Sequence, residues 1–326
     1  MLTIRIMLNK NLARYTVRGI SGILACLVLT GCTTGSKSTT AASPTLFVTD
    51  GVSNRVVQIP NITQSTWTAL GTLGSGVGQF NRPSGVFVDA QSHLLIADTN
   101  NSRIVRVDAI GGANWTSFGT AGAGAGQLSL PRQAVSDSTG RIFVVDTGNN
   151  RIVRFDSISG NNPVSFGAAG AVVGQFSVPT GIALDSANHI FVLDSGNNRV
   201  VRMDDITGAN IVTFGSGGTG INQFATPMGL YVDGSNRIYV TDTGNNRIAR
   251  FDDMTGAGWR ALGALGDSPS QFSSPSGIFA DPQSRIYVTD TGNNRAVRMD
   301  DISGKGWVAV LQNTDANHFS QPLGIY

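Results

Sequence analysis

Apolar residues fall in short blocks, separated by runs rich in Gly, Asn, Asp and Ser, and the alternation repeats along most of the chain. Residues 174–221 show one period. GIALD at 181–185 predicts a short apolar strand, and HIFVLD at 189–194 a second that is apolar on both faces. RVVRMD at 199–204 and NIVTF at 210–214 predict a third and a fourth. Strands that are apolar on both faces suit a sheet packed between two neighbours. The connections SAN, SGNN and DITGA carry turn residues, and a Gly-rich segment ending in QFxxP leads to the next period.

Two landmarks count the periods. An Asp recurs every 48 residues at Asp50, Asp98, Asp146, Asp194, Asp242 and Asp290, and an Arg follows five positions later at Arg55, Arg103, Arg151, Arg199, Arg247 and Arg295. A Pro recurs at Pro83, Pro131, Pro179, Pro227, Pro275 and Pro322. Six copies of a four-stranded unit with a period in the range of roughly 40–50 residues predict an all-β, six-bladed β-propeller. The chain enters at LFVTD (46–50), a second strand, and leaves at Gly324-Ile325-Tyr326, a first strand. The first blade is therefore expected to be closed by both termini.

The segment IYVTDTGNNRIARFD at 238–252, with Pro-x-Gly-[IVL] and an Asp ahead of it, resembles the NHL repeat, and the resemblance spans residues 44–326. It implies NHL-type blades. Propellers of that family act as protein scaffolds, RNA binders, sensor domains and a zinc-dependent lyase, so the resemblance implies a fold and leaves the function open.

Composition agrees with the β reading. There are 41 Gly, all 21 acidic residues are Asp, and Lys occurs only three times. Asp favours turns, whereas Glu and Lys favour helices. The formal charge of +2 is dominated by the N-terminus, where Arg5, Lys10, Arg14 and Arg18 stand without an acid before residue 32. Without them the chain has 19 basic and 21 acidic residues, a net of −2, which argues against a nucleic-acid partner.

Those basic residues precede an apolar run, about residues 20–30, shorter than the ~20 residues a membrane span needs. The order of a basic region, a short apolar region and small residues reads as a signal peptide over 1–31. Leu29-Thr30-Gly31-Cys32 resembles the bacterial lipobox, which implies lipid on Cys32 and a membrane anchor. Residues 32–43 then form the lipidated Cys and a small, polar tether, with the propeller over 44–326. By resemblance to enterobacterial lipoprotein sorting, where an Asp after the Cys favours inner-membrane retention, Thr33 implies the outer membrane of a bacterial cell envelope, facing the periplasm or the surface.

Each landmark Asp–Arg pair, Asp98–Arg103, Asp146–Arg151, Asp194–Arg199, Asp242–Arg247 and Asp290–Arg295, is expected to close a hairpin structurally, with Gly148 supplying positive φ in its loop. A calcium loop needs roughly six to eight oxygen ligands, and an Arg in the loop opposes it. A second set, Asp89 with His93, Asp137 with Arg141, Asp185 with His189, Asp233 with Arg237 and Asp281 with Arg285, is expected to close hairpins on the opposite face. The three His (His93, His189, His318) are too dispersed for a His₃ metal site, and no nucleophile signature is present. The expectation is a protein without catalytic residues, metal or cofactor.

Departure from the repeat is the better guide to a contact site. The two residues after each landmark Pro read Ser84-Gly85, Arg132-Gln133, Thr180-Gly181, Met228-Gly229, Ser276-Gly277 and Leu323-Gly324. Only one unit replaces the Gly and places a cation beside it. Arg132 and Gln133, with Arg82 just before Pro83, are the candidate ligand or partner contacts. The functional expectation is a membrane-tethered extracytoplasmic scaffold or recognition module that binds an envelope protein, a peptide or a glycan through a loop face. The alternative is a propeller enzyme, a lyase or hydrolase acting at the channel mouth.

Overall fold

The second strand of every unit ends in an Asp whose carboxylate leaves solvent entirely, and this residue organises the blade. The computed structural model describes residues 5–8, 11–14, 44–63, 66–310 and 318–326. The expected signal peptide, the lipobox at Leu29–Cys32 and the tether lie outside the described residues, apart from a short antiparallel pairing of Arg5–Leu8 with Asn11–Arg14. The chain divides into two units, residues 1–40 and 41–326.

The second unit is a six-bladed propeller of four-stranded antiparallel sheets. Blade two runs Pro83–Val88, Leu94–Asp98, Arg103–Val107 and Thr116–Phe118. Blades three, four, five and six repeat it with innermost strands Pro131–Ser136, Pro179–Leu184, Leu230–Val232 and Pro275–Ala280. Blade one joins the C-terminal strand Pro322–Ile325 to Leu46–Asp50, Arg55–Ile59 and Thr68–Leu70, so both ends of the propeller share one sheet. The innermost strands touch their neighbours all the way round, which closes the ring.

Hydrophobic burial lies between the sheets. Val144, Val192, Val240 and Val288 on the second strands are fully buried, as are Phe80, Phe176, Phe224 and Phe272 from the QF motifs. These Phe residues arrive on the linker from the preceding blade and fill the space between two sheets. That explains why QF recurs in the sequence just ahead of the landmark Pro.

The Asp–Arg pairs tie that linker to the hairpin. Asp194 accepts hydrogen bonds from Ser177 N at 2.7 Å, Asn197 Nδ2 at 2.7 Å and Arg199 Nε at 2.8 Å. Arg199 donates its other N–H groups to the carbonyls of Ala171 and Gln175 in the linker. The other blades repeat this, with Nε to Asp Oδ2 distances of 2.7 Å in Arg103–Asp98, Arg247–Asp242 and Arg295–Asp290, and 2.8 Å in Arg151–Asp146.

One expectation within these hairpins fails. Gly148 does not carry the positive φ; the loop forms a short 3₁₀ turn at Thr147–Asn149, and Asn150, with φ of 53°, takes the left-handed position. Asn198, Asn246 and Asn294 do the same in their blades, and Ser102 does so where Asn is missing. Gly148 is needed for close approach instead: a Cβ there would stand 2.3 Å from Ser129 Oγ.

The buried carboxylate yields a stability prediction. Asp194→Ala leaves Arg199 and Ser177 N–H without their acceptor, and removal of one partner from a buried pair costs about 3 kcal/mol or more. Urea unfolding of Asp194→Ala should show a loss of that size, against a loss under about 1 kcal/mol for exposed Thr207→Ala, which removes only a local turn hydrogen bond.

Candidate functional site

The innermost strands begin on the face that carries the Asp–Arg hairpins, and the residues after the landmark Pro converge on the axis. Ser84, Arg132, Thr180, Met228, Ser276 and Leu323 all line a narrow axial pocket of about 60 Å³. The Gly that follows in most blades is dictated by space: a Cβ on Gly229 would sit 2.1 Å from Ser276 O, and one on Gly277 2.5 Å from Leu323 O. At these positions the innermost strands are thus too close for a side chain; only Gln133 in blade three replaces the Gly.

Hydroxyls lock each blade to the next around the same mouth. Thr99 Oγ1 donates to Pro131 O at 2.9 Å, Thr147 to Pro179 O at 2.7 Å, Ser195 to Pro227 O at 2.5 Å, Thr243 to Pro275 O at 2.6 Å and Thr291 to Pro322 O at 2.6 Å. Sequence reasoning passed over these residues. The signal was a hydroxyl directly after the landmark Asp in five of the six units, with Gly51 in the sixth.

Two of the three candidate contact residues come together here, and the third has a different role. Gln133 replaces the Gly, and its Oε1 accepts a hydrogen bond from Ile182 N of the next blade at 3.0 Å. It is an internal tie between blades. Arg82 is exposed, with φ of 54°, and its backbone N–H donates to Asn54 Oδ1 at 2.8 Å. Its side chain donates to Gln321 Oε1 at 3.3 Å. Arg132 is half-buried, and its Nε is buried with no partner among the described residues. Both guanidiniums line one cavity of about 250 Å³, with Ser84, Thr99, Asn100, Leu130 and Leu323 as the remaining walls. Burial, and then the nearby Arg82 charge, push the Arg132 guanidinium below its ordinary value. A guanidinium does not lose its proton at physiological pH, so this shift measures how poorly the charge is compensated.

The contrast with the other cations is sharp. On the opposite face, His93 Nδ1 lies 2.7 Å from Asp89, Arg141 2.6 Å from Asp137, His189 2.6 Å from Asp185, Arg237 2.6 Å from Asp233 and Arg285 2.6 Å from Asp281. Each of these basic side chains is therefore held by a carboxylate on its own hairpin. Its end of the axis opens into an apolar pocket of about 90 Å³ lined by Phe87, Leu184, Tyr231 and Tyr326. Among these rings, Phe279 packs 4.8 Å from Tyr326 and 5.2 Å from Tyr231. Burial pushes the Tyr231 and Tyr326 hydroxyls up, so both stay neutral donors. Among the described residues, no group of three or more His, Cys, Asp or Glu is gathered to hold a metal.

Two predictions follow from this geometry. Gly229→Ala forces the innermost strands of blades five and six apart and should cost about 2 kcal/mol, whereas Gln133→Gly deletes one hydrogen bond and should cost about 1 kcal/mol. Thermal unfolding of both variants checks the order. The second concerns acid. Burial alone would raise Asp233, but hydrogen bonds from the Arg237 side chain and from the Arg237 and Ser235 backbone hold it below the ordinary Asp value; Asp137 is lowered in the same way by Thr139 and Arg141. A depressed carboxylate contributes stability in full above the unfolded value of about 3.9, and that stability is lost as pH falls through the lower folded value. Asp290, which burial raises, contributes in the opposite sense. Unfolding midpoints measured on acidification should therefore fall less steeply for Asp233→Asn than for the parent.

The NHL repeat model matches the chain at residues 80–106, 176–203 and 224–251, each match running from a QF motif to a third strand. No curated protein matches the sequence. Solved structures share the fold at low identity. A streptogramin B lyase structure is 16% identical with a TM-score of 0.59, covering 87% of this chain and 84% of that one. The virginiamycin B lyase from Staphylococcus aureus, as the selenomethionine protein, is 17% identical with a TM-score of 0.56, covering 86% and 84%. A nidogen/laminin complex contains a chain 17% identical with a TM-score of 0.63, covering 86% of this chain and 97% of its own. The chain carries NHL repeats in a six-bladed propeller.

Proposed function

We propose that this NHL-repeat propeller is a recognition module without catalytic activity, held at a bacterial membrane by lipid on Cys32, and that it binds a partner through the loop face bearing Arg82 and Arg132. The observation that carries the reading is the mouth itself. Most cations on the two faces meet a carboxylate, whereas Arg82 and Arg132 share a cavity and form no ion pair among the described residues; Arg106 and Arg260 also form none, but neither lines this cavity. A half-buried charge without a counter-charge is costly in the free protein, and a ligand that supplies one removes that cost.

The surrounding ring supports the same reading. Arg82, Leu130, Val178, Thr226 and Ser274 occupy equivalent positions, each exposed and each with φ between 41° and 54°. The backbone N–H groups of Arg82, Val178, Thr226 and Ser274 donate to the side-chain Oδ1 of the Asn in the preceding hairpin, which fixes them. A rigid scaffold therefore presents variable side chains, the usual layout of a binding face. The fold shared with a chain of a nidogen/laminin complex is consistent with a protein-binding role. The lipid anchor and the short polar tether would leave the disc free to meet a partner in the envelope.

The test uses the full chain in its membrane. Cys32→Ser should move the protein from the membrane fraction to the soluble extracytoplasmic fraction. The Arg82→Ala/Arg132→Ala double variant should remain folded and lose most of a partner that co-purifies with the parent. Arg141→Ala, on the opposite face, should retain it. Equal recovery with both variants would refute this face as the contact.

A further inference from the structure

The cavity between Arg82 and Arg132 has more specific chemistry than a positive patch. Its polar wall consists of the two guanidiniums, the hydroxyls of Ser84 and Thr99, and Asn100. The hydroxyls are already committed: Ser84 Oγ lies 2.6 Å from Thr99 Oγ1 and 2.8 Å from Arg132 O, and Thr99 donates to Pro131 O. Asn100 Nδ2 donates to Asn81 Oδ1 at 3.1 Å. Apart from one Arg82 N–H held by Gln321 Oε1 and one amide N–H left on Asn100, the donors available to a ligand are the guanidinium N–H groups, whose planar fork suits an oxyanion with two equivalent oxygens. The other walls are Leu130, 48% exposed, and Leu323. A volume of about 250 Å³ has room for a carboxylate together with an adjoining apolar group.

We infer that this cavity is a carboxylate site that receives the free carboxylate of a peptide, with an apolar side chain of that peptide resting on Leu130 and Leu323. The inference rests on the reading of this face as the contact face and names its chemistry. Two features favour a peptide over an acidic saccharide. The apolar walls flank the cations directly, where a sugar ring would present hydroxyls. The hydroxyl and amide groups nearby are occupied by contacts that hold the blades together, which leaves few partners for a polyhydroxylated ligand. The rigidity of the mouth, set by the Thr99 and Ser84 contacts across the blade boundary, means that little ordering is lost on binding.

The probes are acetyl-leucyl-leucine, its C-terminal amide, acetate and digalacturonate, titrated calorimetrically into the full-length protein. The acid should bind at least ten-fold more tightly than its amide, and this advantage should shrink as salt rises. Arg82→Gln, at an exposed position, should cut the advantage several-fold without changing the unfolding temperature. Arg132→Gln should abolish it, and Leu130→Ser should weaken the acid without affecting acetate. Equal binding of acid and amide, or no binding of either, would overturn the inference. So would acetate binding as tightly as the peptide acid, or digalacturonate binding where the peptide does not. If the double arginine variant loses its membrane partner while acid and amide bind alike, the contact face stands and the carboxylate assignment falls. If the acid shows its advantage while partner recovery is unchanged, the carboxylate site stands and the partner contact lies elsewhere.

Discussion

The fold depends on a carboxylate kept out of water. Each landmark Asp is fully buried and is satisfied by an Arg, a loop Asn or a backbone N–H, and in most blades by all three. Such a group is tolerated inside a protein only when every lone pair is used. That requirement makes the hairpin and the incoming linker mutually dependent. The Arg side chain then reaches the linker carbonyls, so one ion pair sets the path of the chain from one blade to the next. Repeating it around the ring gives stiffness without disulfides.

That stiffness has a consequence at the axis. The innermost strands approach until only Gly fits in most blades, and Thr and Ser hydroxyls close the seams. Polar groups in such a mouth are nearly all engaged in holding the ring together. Arg82 and Arg132 stand out because neither charge meets a carboxylate among the described residues, Arg82 bonding only to the neutral amide of Gln321. The two ends of the axis differ as well: one is cationic, the other is lined by Phe87, Tyr231 and Tyr326.

Much of this was legible in the sequence, because a strict 48-residue period states strand order, blade number and closure together. The Asp–Arg spacing gave away the hairpins. Loop detail was less accessible. Gly148 looks like a turn glycine, yet the 3₁₀ turn hands the left-handed position to Asn150, and Gly148 is present because Ser129 comes so near. Gln133 was conspicuous as a departure from Gly, but whether it faces a partner or another blade depends on the register of two strands distant in sequence. The hydroxyl seams and the role of Leu130 were hidden for the same reason: both arise between blades, where local pattern carries no information.

The central claim is that the arginine-bearing mouth, and not the opposite face, meets the partner. Photo-cross-linking in living cells tests it most directly, with the reactive amino acid placed at Leu130 beside the cationic cavity or at exposed Ser186 on the other face. The account predicts one discrete cross-linked species from position 130, lost in the Arg82→Ala/Arg132→Ala background, and none from position 186. A product from position 186 alone would contradict it.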